Sequence, residues 1–274
     1  MTMVEDFVIM KQESFRKSEI KSMMTDAATL AYINLYGILG AIPAMLEISA
    51  EAKKILGKSA CSIGFAVKDG PAATLSFAGG RCILREGVDD CTVKLPFASP
   101  EKFNGLIDGS VTPVPSKGFT KLPFLLGKFT KLTDLLTKYL RPAEEDMADP
   151  EFAKISTTLL FGVITRAVCQ IANHDRVGKA SASYIVDGVI RLGIENGPAF
   201  AIQAKKNRLT AMAKVPENVT SMMTFRDMDT ARALFDGKIN AVASIGTGDV
   251  RMAGMISQID NVNRILDRVA LYLA

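Results

Sequence analysis

Tryptophan is absent from this 274-residue chain, histidine occurs once and cysteine four times. The cysteines, at positions 61, 82, 91 and 169, form no CxxC pair and no metal-ligand spacing, and their neighbours are apolar. Reduced, buried thiols in an intracellular, cytoplasmic setting are therefore expected, and neither a disulfide scaffold nor a zinc site is. The one histidine, His174, stands beside Asp175, and no Gly-x-Ser-x-Gly, HExxH or Walker loop accompanies it. It reads as a surface histidine rather than a general base, so no catalytic residue, no cofactor and no enzyme activity are expected. Asp89-Asp90 and Glu144-Glu145-Asp146 read as turn and linker residues rather than a cation site. Excess charge is small as well: a net +4 gives no argument for nucleic acid.

Apolar residues are abundant. A chain of 48% hydrophobic and 23% charged residues buries a substantial core, and its length suits about two domains. Residues 1–25 are polar and mixed, with Glu5 and Asp6 ahead of any apolar run, and read as an arm rather than a secretory signal. From Ala27 to Leu46 no residue is charged, a length that could span a bilayer. The run holds Asn34, Gly37, Gly40 and Pro43, and its counterpart around Leu159 to Ile171 carries Arg166 and Gln170. A pair of buried helices packed on each other at the centre is the better account.

That counterpart belongs to a repeat. Cys91 to Gly109 (CTVKLPFASPEKFNGLIDG) is echoed 128 residues on by Val219 to Gly237 (VTSMMTFRDMDTARALFDG). Each reads as an alternating strand ending in Phe97 or Phe225, a cap at Ser99 or Asp227, and a short helix stopped by Gly109 or Gly237. Asp69-Gly70-Pro71-Ala72 returns as Asn196-Gly197-Pro198-Ala199, and Gly57-Lys58 closes an apolar helix much as Gly178-Lys179 does. The chain thus reads as two diverged units of roughly 120 residues. Apolar alternation places strands near 63–67, 75–77, 82–84 and 91–97, the pattern of an antiparallel meander, with 189–194, 200–204, 209–213 and 219–225 in the second unit. Residues 241–245 and 249–253 extend the second sheet, whereas Pro113, Pro115 and Pro123 argue against a late strand in the first. An amphipathic helix closes each unit, through Leu122 to Tyr139 and Ile259 to Leu273, and Pro142 with the acidic 144–146 marks the linker.

On the first closing helix, Lys121, Lys128, Lys131 and Lys138 gather within an arc of roughly 100° beside the apolar stripe. That layout suits peripheral contact with an anionic membrane or an acidic partner, while a core helix with a solvated lysine face is the plainer account. Thirteen methionines, six of them in the second unit between positions 212 and 255, suit a pocket of adaptable shape as well as gap filling.

The order of elements, with Asp229 to Asn240 (DTARALFDGKIN), Gly246-Thr247-Gly248-Asp249 and Arg251 to Gly254, resembles the sterol carrier protein type 2 family, and Pro100 to Gly109 resembles the same pattern. The resemblance implies an α+β fold: a mostly antiparallel mixed sheet covered on one face by helices, twice over, in units spanning 26–146 and 147–274. It implies non-enzymatic binding and carriage of an apolar lipid (fatty acid, acyl-coenzyme A or sterol) in a tunnel between sheet and helices. The lining residues would be Phe97, Phe103, Leu106 and Phe124 in the first unit and Phe225, Leu234, Phe235, Met252 and Met255 in the second. A protein interaction module with a collapsed pocket is the alternative, since a filled core would use the same side chains.

Overall fold

The computed structural model describes residues 24–273. The arm expected over 1–25 lies outside them, apart from Met24 and Thr25. The charge-free run forms one helix, α1 (Ala27–Ile48), capped by Asp26, whose carboxylate accepts from the backbone N–H groups of Ala28 and Thr29. Its middle widens to π geometry over Ile33–Ile38 and tightens to a 3-10 turn over Leu39–Ala41, just ahead of Pro43, which lacks an N–H to donate back. Asn34 is buried there because its side chain donates to Asn104 Oδ1 at 2.9 Å, while Asn104 donates to Ala27 O. A short helix, α2 (Ala50–Leu56), follows and ends at Gly57 in a positive-φ conformation.

Four strands come next, β1 (Cys61–Val67), β2 (Ala72–Ala78), β3 (Arg81–Glu86) and β4 (Val93–Phe97), paired in the order β3-β2-β1-β4. This corrects the expected meander: β4 returns beside β1 and runs parallel to it. The return crosses the face of β1 at Gly64, where a Cβ would stand 2.7 Å from Cys91 Sγ. Helix α3 (Pro100–Ile107) is capped by Ser99, and Gly109 leaves it at φ 79°. A π-helical turn (Phe124–Phe129) leads into α4 (Thr130–Leu140).

The second half repeats this order. Helix α5 (Pro150–His174) is followed by α6 (Arg176–Ala182), then β5 (Gly188–Ile194), β6 (Ala199–Lys205), β7 (Arg208–Ala211), β8 (Ser221–Phe225) and α7 (Met228–Phe235). The sheet order is β7-β6-β5-β8 followed by a fifth strand, β9 (Val250–Gly254), again with a parallel pair, β5 and β8. Asp227 caps α7 and Gly237 leaves it at φ 69°, so both punctuated strand-to-helix blocks form as the repeat required. The architecture is α+β with two mixed sheets, each turning one face to helices.

Two further expectations fail. Residues 241–245 are not a strand but part of α8 (Ala241–Gly246), because Asn240 caps Ala243 and the five residues carry too little pattern to separate the two periods. Only the later segment joins the sheet, as β9 (Val250–Gly254) beside β8. Nor does Gly178 close a helix: it lies inside α6, where a Cβ would stand 2.2 Å from Ile171 O, so glycine permits the α5–α6 elbow. In the first unit the proline-rich stretch contributes a lone bridge, Lys94 to Lys117, in place of a fifth strand.

Helices α1 and α5 are long and apolar enough to cross a membrane, but 67% and 72% of their most apolar windows are buried inside the protein. They pack on each other, and a Cβ at Gly37 would stand 3.7 Å from Val163 O. The closing helix α9 (Ile256–Leu273) lies over α5, α6 and β8. The two cores interlock: Leu159 and Val163 of α5 belong to the first, and Ile33 of α1 belongs to the second. All four cysteines are free and buried, and burial pushes the Cys82 and Cys169 thiols up to about 12.

Candidate functional site

The sequence-derived lining residues fall into two environments. In the first unit Phe103 is fully buried and Phe97 6% exposed, their rings 5.1 Å apart edge to face. Phe103 also meets Phe65 at 6.1 Å, Phe65 meets Phe129 at 6.2 Å, and Phe129 meets Phe77, which contacts Phe124 at 5.5 Å. Leu106 and Phe124 pack partly buried against this run. These rings fill the layer between sheet and helices as a native core does.

The second unit is more open. Phe225 is buried against Phe161 and Phe235, at 5.6 and 5.5 Å, but Leu234, Phe235 and Met252 are half-buried and Met255 is 41% exposed. Met252 lies opposite Met223 in the β8–β9 register. In the same stretch of chain Ile239, Val242, Ile245 and Ile256 have 37%, 77%, 41% and 80% of their surface exposed. Helix α8 has inverted polarity, burying Ser244 while presenting Val242 and Ile245 to water. Such an arrangement costs solvation free energy unless something covers it.

The Gly246-Thr247-Gly248-Asp249 turn is held electrostatically. Asp249 pairs with Arg226 and accepts from the Thr247 hydroxyl at 2.8 Å, while Gly248 takes φ 82°. Arg226 also pairs with Asp227, whose carboxyl is lowered to about 2, first by the Thr230 backbone N–H it caps. The turn therefore fixes the base of the α8 corner. A groove of about 570 Å³ with a mixed lining, not anticipated from sequence, opens between the start of α5 and α7, with Met147, Ala153, Lys154, Met228 and Lys238 on its walls. Its Arg232 is committed internally to Asp236 and Ser156.

Two of the four aligned lysines are also committed. Lys128 Nζ donates to Leu56 O at 3.0 Å and Ser59 Oγ at 2.7 Å, and Lys138 pairs with Asp146 at 2.8 Å. No cluster of three potential metal ligands occurs among the described residues.

His174 is not the free surface side chain the sequence suggested. It is half-buried and stacked on Tyr32 of α1 at 3.5 Å, which the sequence spacing of 142 residues could not show. Burial, then Lys179 and Arg208, lower its pKa to about 4. The unfolded chain therefore binds a proton below its ordinary value near 6.5 that the folded chain refuses until about 4. Stability should fall as pH drops through that window, and His174→Phe, which keeps a stacked ring, should flatten the fall. Urea unfolding at steps from pH 7 to 4.5 measures it; parallel curves for the two proteins would show that His174 does not titrate there.

Neither a protein-family model nor a curated protein sequence matches the chain. Among solved structures it is similar to sterol carrier protein domain 2 of Helicoverpa armigera (14% identity, TM-score 0.33, 42% of this chain and 88% of that one). It is also similar to sterol carrier protein 2 from Yarrowia lipolytica (19% identity, TM-score 0.29, 38% and 88%). A third is a protein titled UbiJ-SCP2 ubiquinone synthesis protein (13% identity, TM-score 0.31, 39% and 95%).

Proposed function

We propose that the chain binds and carries an apolar lipid without covalent chemistry, and that the second unit, at the corner of α7, α8 and β9, is where the lipid enters. One observation carries the reading: Ile239, Val242, Ile245, Met255 and Ile256 are exposed within 18 residues, directly after the half-buried Leu234 and Phe235 and around Met252. Covering such side chains with an acyl or sterol surface yields about 25 cal/mol per Å². Methionine at positions 252 and 255 adapts to a ligand of variable outline. The first unit, its layer filled by phenylalanine, supports the second in this reading. Lys121 and Lys131, both exposed, are the cations of the basic helix left to meet an anionic membrane during transfer.

Native mass spectrometry of the purified chain, followed by organic extraction, should show one lipid per chain. The double variant Val242→Glu, Ile256→Glu changes two side chains with little surface buried, so it should fold normally and lose roughly tenfold or more of lipid affinity. A chain that stays unliganded under lipid titration would instead favour the interaction-module alternative, for which the filled first unit is the supporting observation.

A further inference from the structure

Arg166 lies midway along α5, half-buried, and forms neither a hydrogen bond nor an ion pair with any described residue. The neighbour that interacts with its charge is Cys169, whose thiol burial keeps neutral. The side chain runs along the seam between the two units. A Cβ at Gly40 of α1 would stand 3.8 Å from Arg166 Cδ and 3.4 Å from Leu84 of the first sheet. At the other end, a Cβ at Gly162 would stand 3.2 Å from Arg166 Nη1 and 3.3 Å from the Phe200 ring of the second sheet. Glycine on α1 thus leaves room for the aliphatic part of the Arg166 side chain beside Leu84, and glycine on α5 leaves room for its guanidinium beside Phe200. A cation largely withdrawn from water without a partner is costly, and burial lowers its pKa accordingly.

We propose that Arg166 binds the carboxylate head group of a monoanionic amphiphile, whose tail lies on Leu84 and Phe200. The proposal rests on the lipid-binding reading and selects among lipids. A planar guanidinium fork matches a carboxylate in a bidentate pair. One cation with no second one interacting nearby balances one negative charge, which disfavours the multiply charged acyl-coenzyme A and gives an uncharged sterol nothing to pair with. Phe200 continues to Phe161 at 5.0 Å and Phe161 to Phe235 at 5.2 Å, an aromatic path from Arg166 to the exposed corner of the second unit.

The test is calorimetric titration of the full chain with dodecanoate, 1-dodecanol and dodecyl phosphate. Wild type should prefer dodecanoate over dodecanol by about 10–100-fold, the worth of a charge-assisted pair. Arg166→Gln should remove that preference and leave dodecanol unchanged. Equal binding of dodecanoate and dodecanol by wild type would overturn the Arg166 assignment while the lipid reading stands. Tighter binding of dodecyl phosphate than of dodecanoate would overturn the carboxylate. Failure of all three to bind would overturn the lipid reading and this site with it. As a control on folding, ligand-free Arg166→Met should melt at or above wild type, because it removes an unpaired charge; a lower melting temperature would mean the guanidinium has a structural role and would overturn the proposal.

Discussion

Replacing Asp175 with alanine should cost about 3–5 kcal/mol, the price of breaking a buried charge pair from one side. The residue is 3% exposed at the elbow between α5 and α6. Its Oδ1 accepts from the Gly178 N–H at 2.8 Å, and its Oδ2 accepts from Arg268 Nη2 at 2.6 Å and from the Tyr272 hydroxyl at 2.8 Å. The chain of contacts continues, since Tyr272 accepts from the Asp26 N–H at 3.0 Å and Arg268 donates to Met24 O at 2.7 Å. One carboxylate therefore ties the start of α1, the α5–α6 elbow and the end of α9. Burial raises its pKa, but the Arg268 pair, the Gly178 N–H and the Tyr272 hydroxyl outweigh that and hold it below the usual carboxylate range. Its contribution is present above the ordinary carboxyl pKa and is lost as pH falls below it.

Alanine would leave Arg268 without its counter-charge, with only the Met24 carbonyl and the Tyr272 ring beside it, and its Nε already lacks a partner. At about 2–4 °C per kcal/mol for a chain of this size, the melting temperature should drop by roughly 6–20 °C. Circular dichroism melts at pH 7 check this, with Asp175→Asn as the milder companion that keeps the cap acceptor. A loss below about 1 kcal/mol would mean that the elbow is held by packing at Gly178 and not by the carboxylate.

These contacts show where sequence reading stops. Local chemistry was legible: Ser99 and Asp227 announce helix starts, Gly109 and Gly237 announce stops, and alternation at Cys91, Val93, Leu95 and Phe97 assigned their shared buried face. The second strand keeps the same phase with Ser221 in a buried place, satisfied by Gln258 at 2.7 Å, and the serine made that pattern look weaker than it is. Alternation reports a face but not a partner, so the parallel pairing of β1 with β4 was invisible, although Gly64 in the middle of an alternating strand was a clue to a crossing segment. For the candidate site, Leu234, Phe235 and Met252 pack partly buried against the second core and Met255 is exposed, while the first unit's phenylalanines pack on one another in their own layer. Residue type alone does not separate a lining ring from a core ring. Arg166 was visible as a charge in an apolar helix, but its lack of a partner is a tertiary fact.

Expressed apart, the segments 1–146 and 147–274 should each fail to fold, whereas their co-expression should restore a complex. The reason is the interlocked core. Leu159 and Val163 are 2% and 1% exposed within the first core, and Ile33 is fully buried within the second. Each such side chain returned to water costs about 1.5–3 kcal/mol, so the three cost about 5–9 kcal/mol, against a typical total of about 5–15 kcal/mol. Separation also strips Phe152 and Ile155 from the first core and Leu30 from the second, and it exposes the close α1–α5 contact at Gly37. The exposed faces would be the long apolar ones of α1 and α5, which favour aggregation over a stable half. Size-exclusion chromatography and circular dichroism of each half, alone and together, measure this. A monomeric, cooperatively melting half would show that a unit carries its own complete core and that the seam is a docking contact; insolubility apart with recovery together would show that the seam, where Arg166 lies, is built by both units at once.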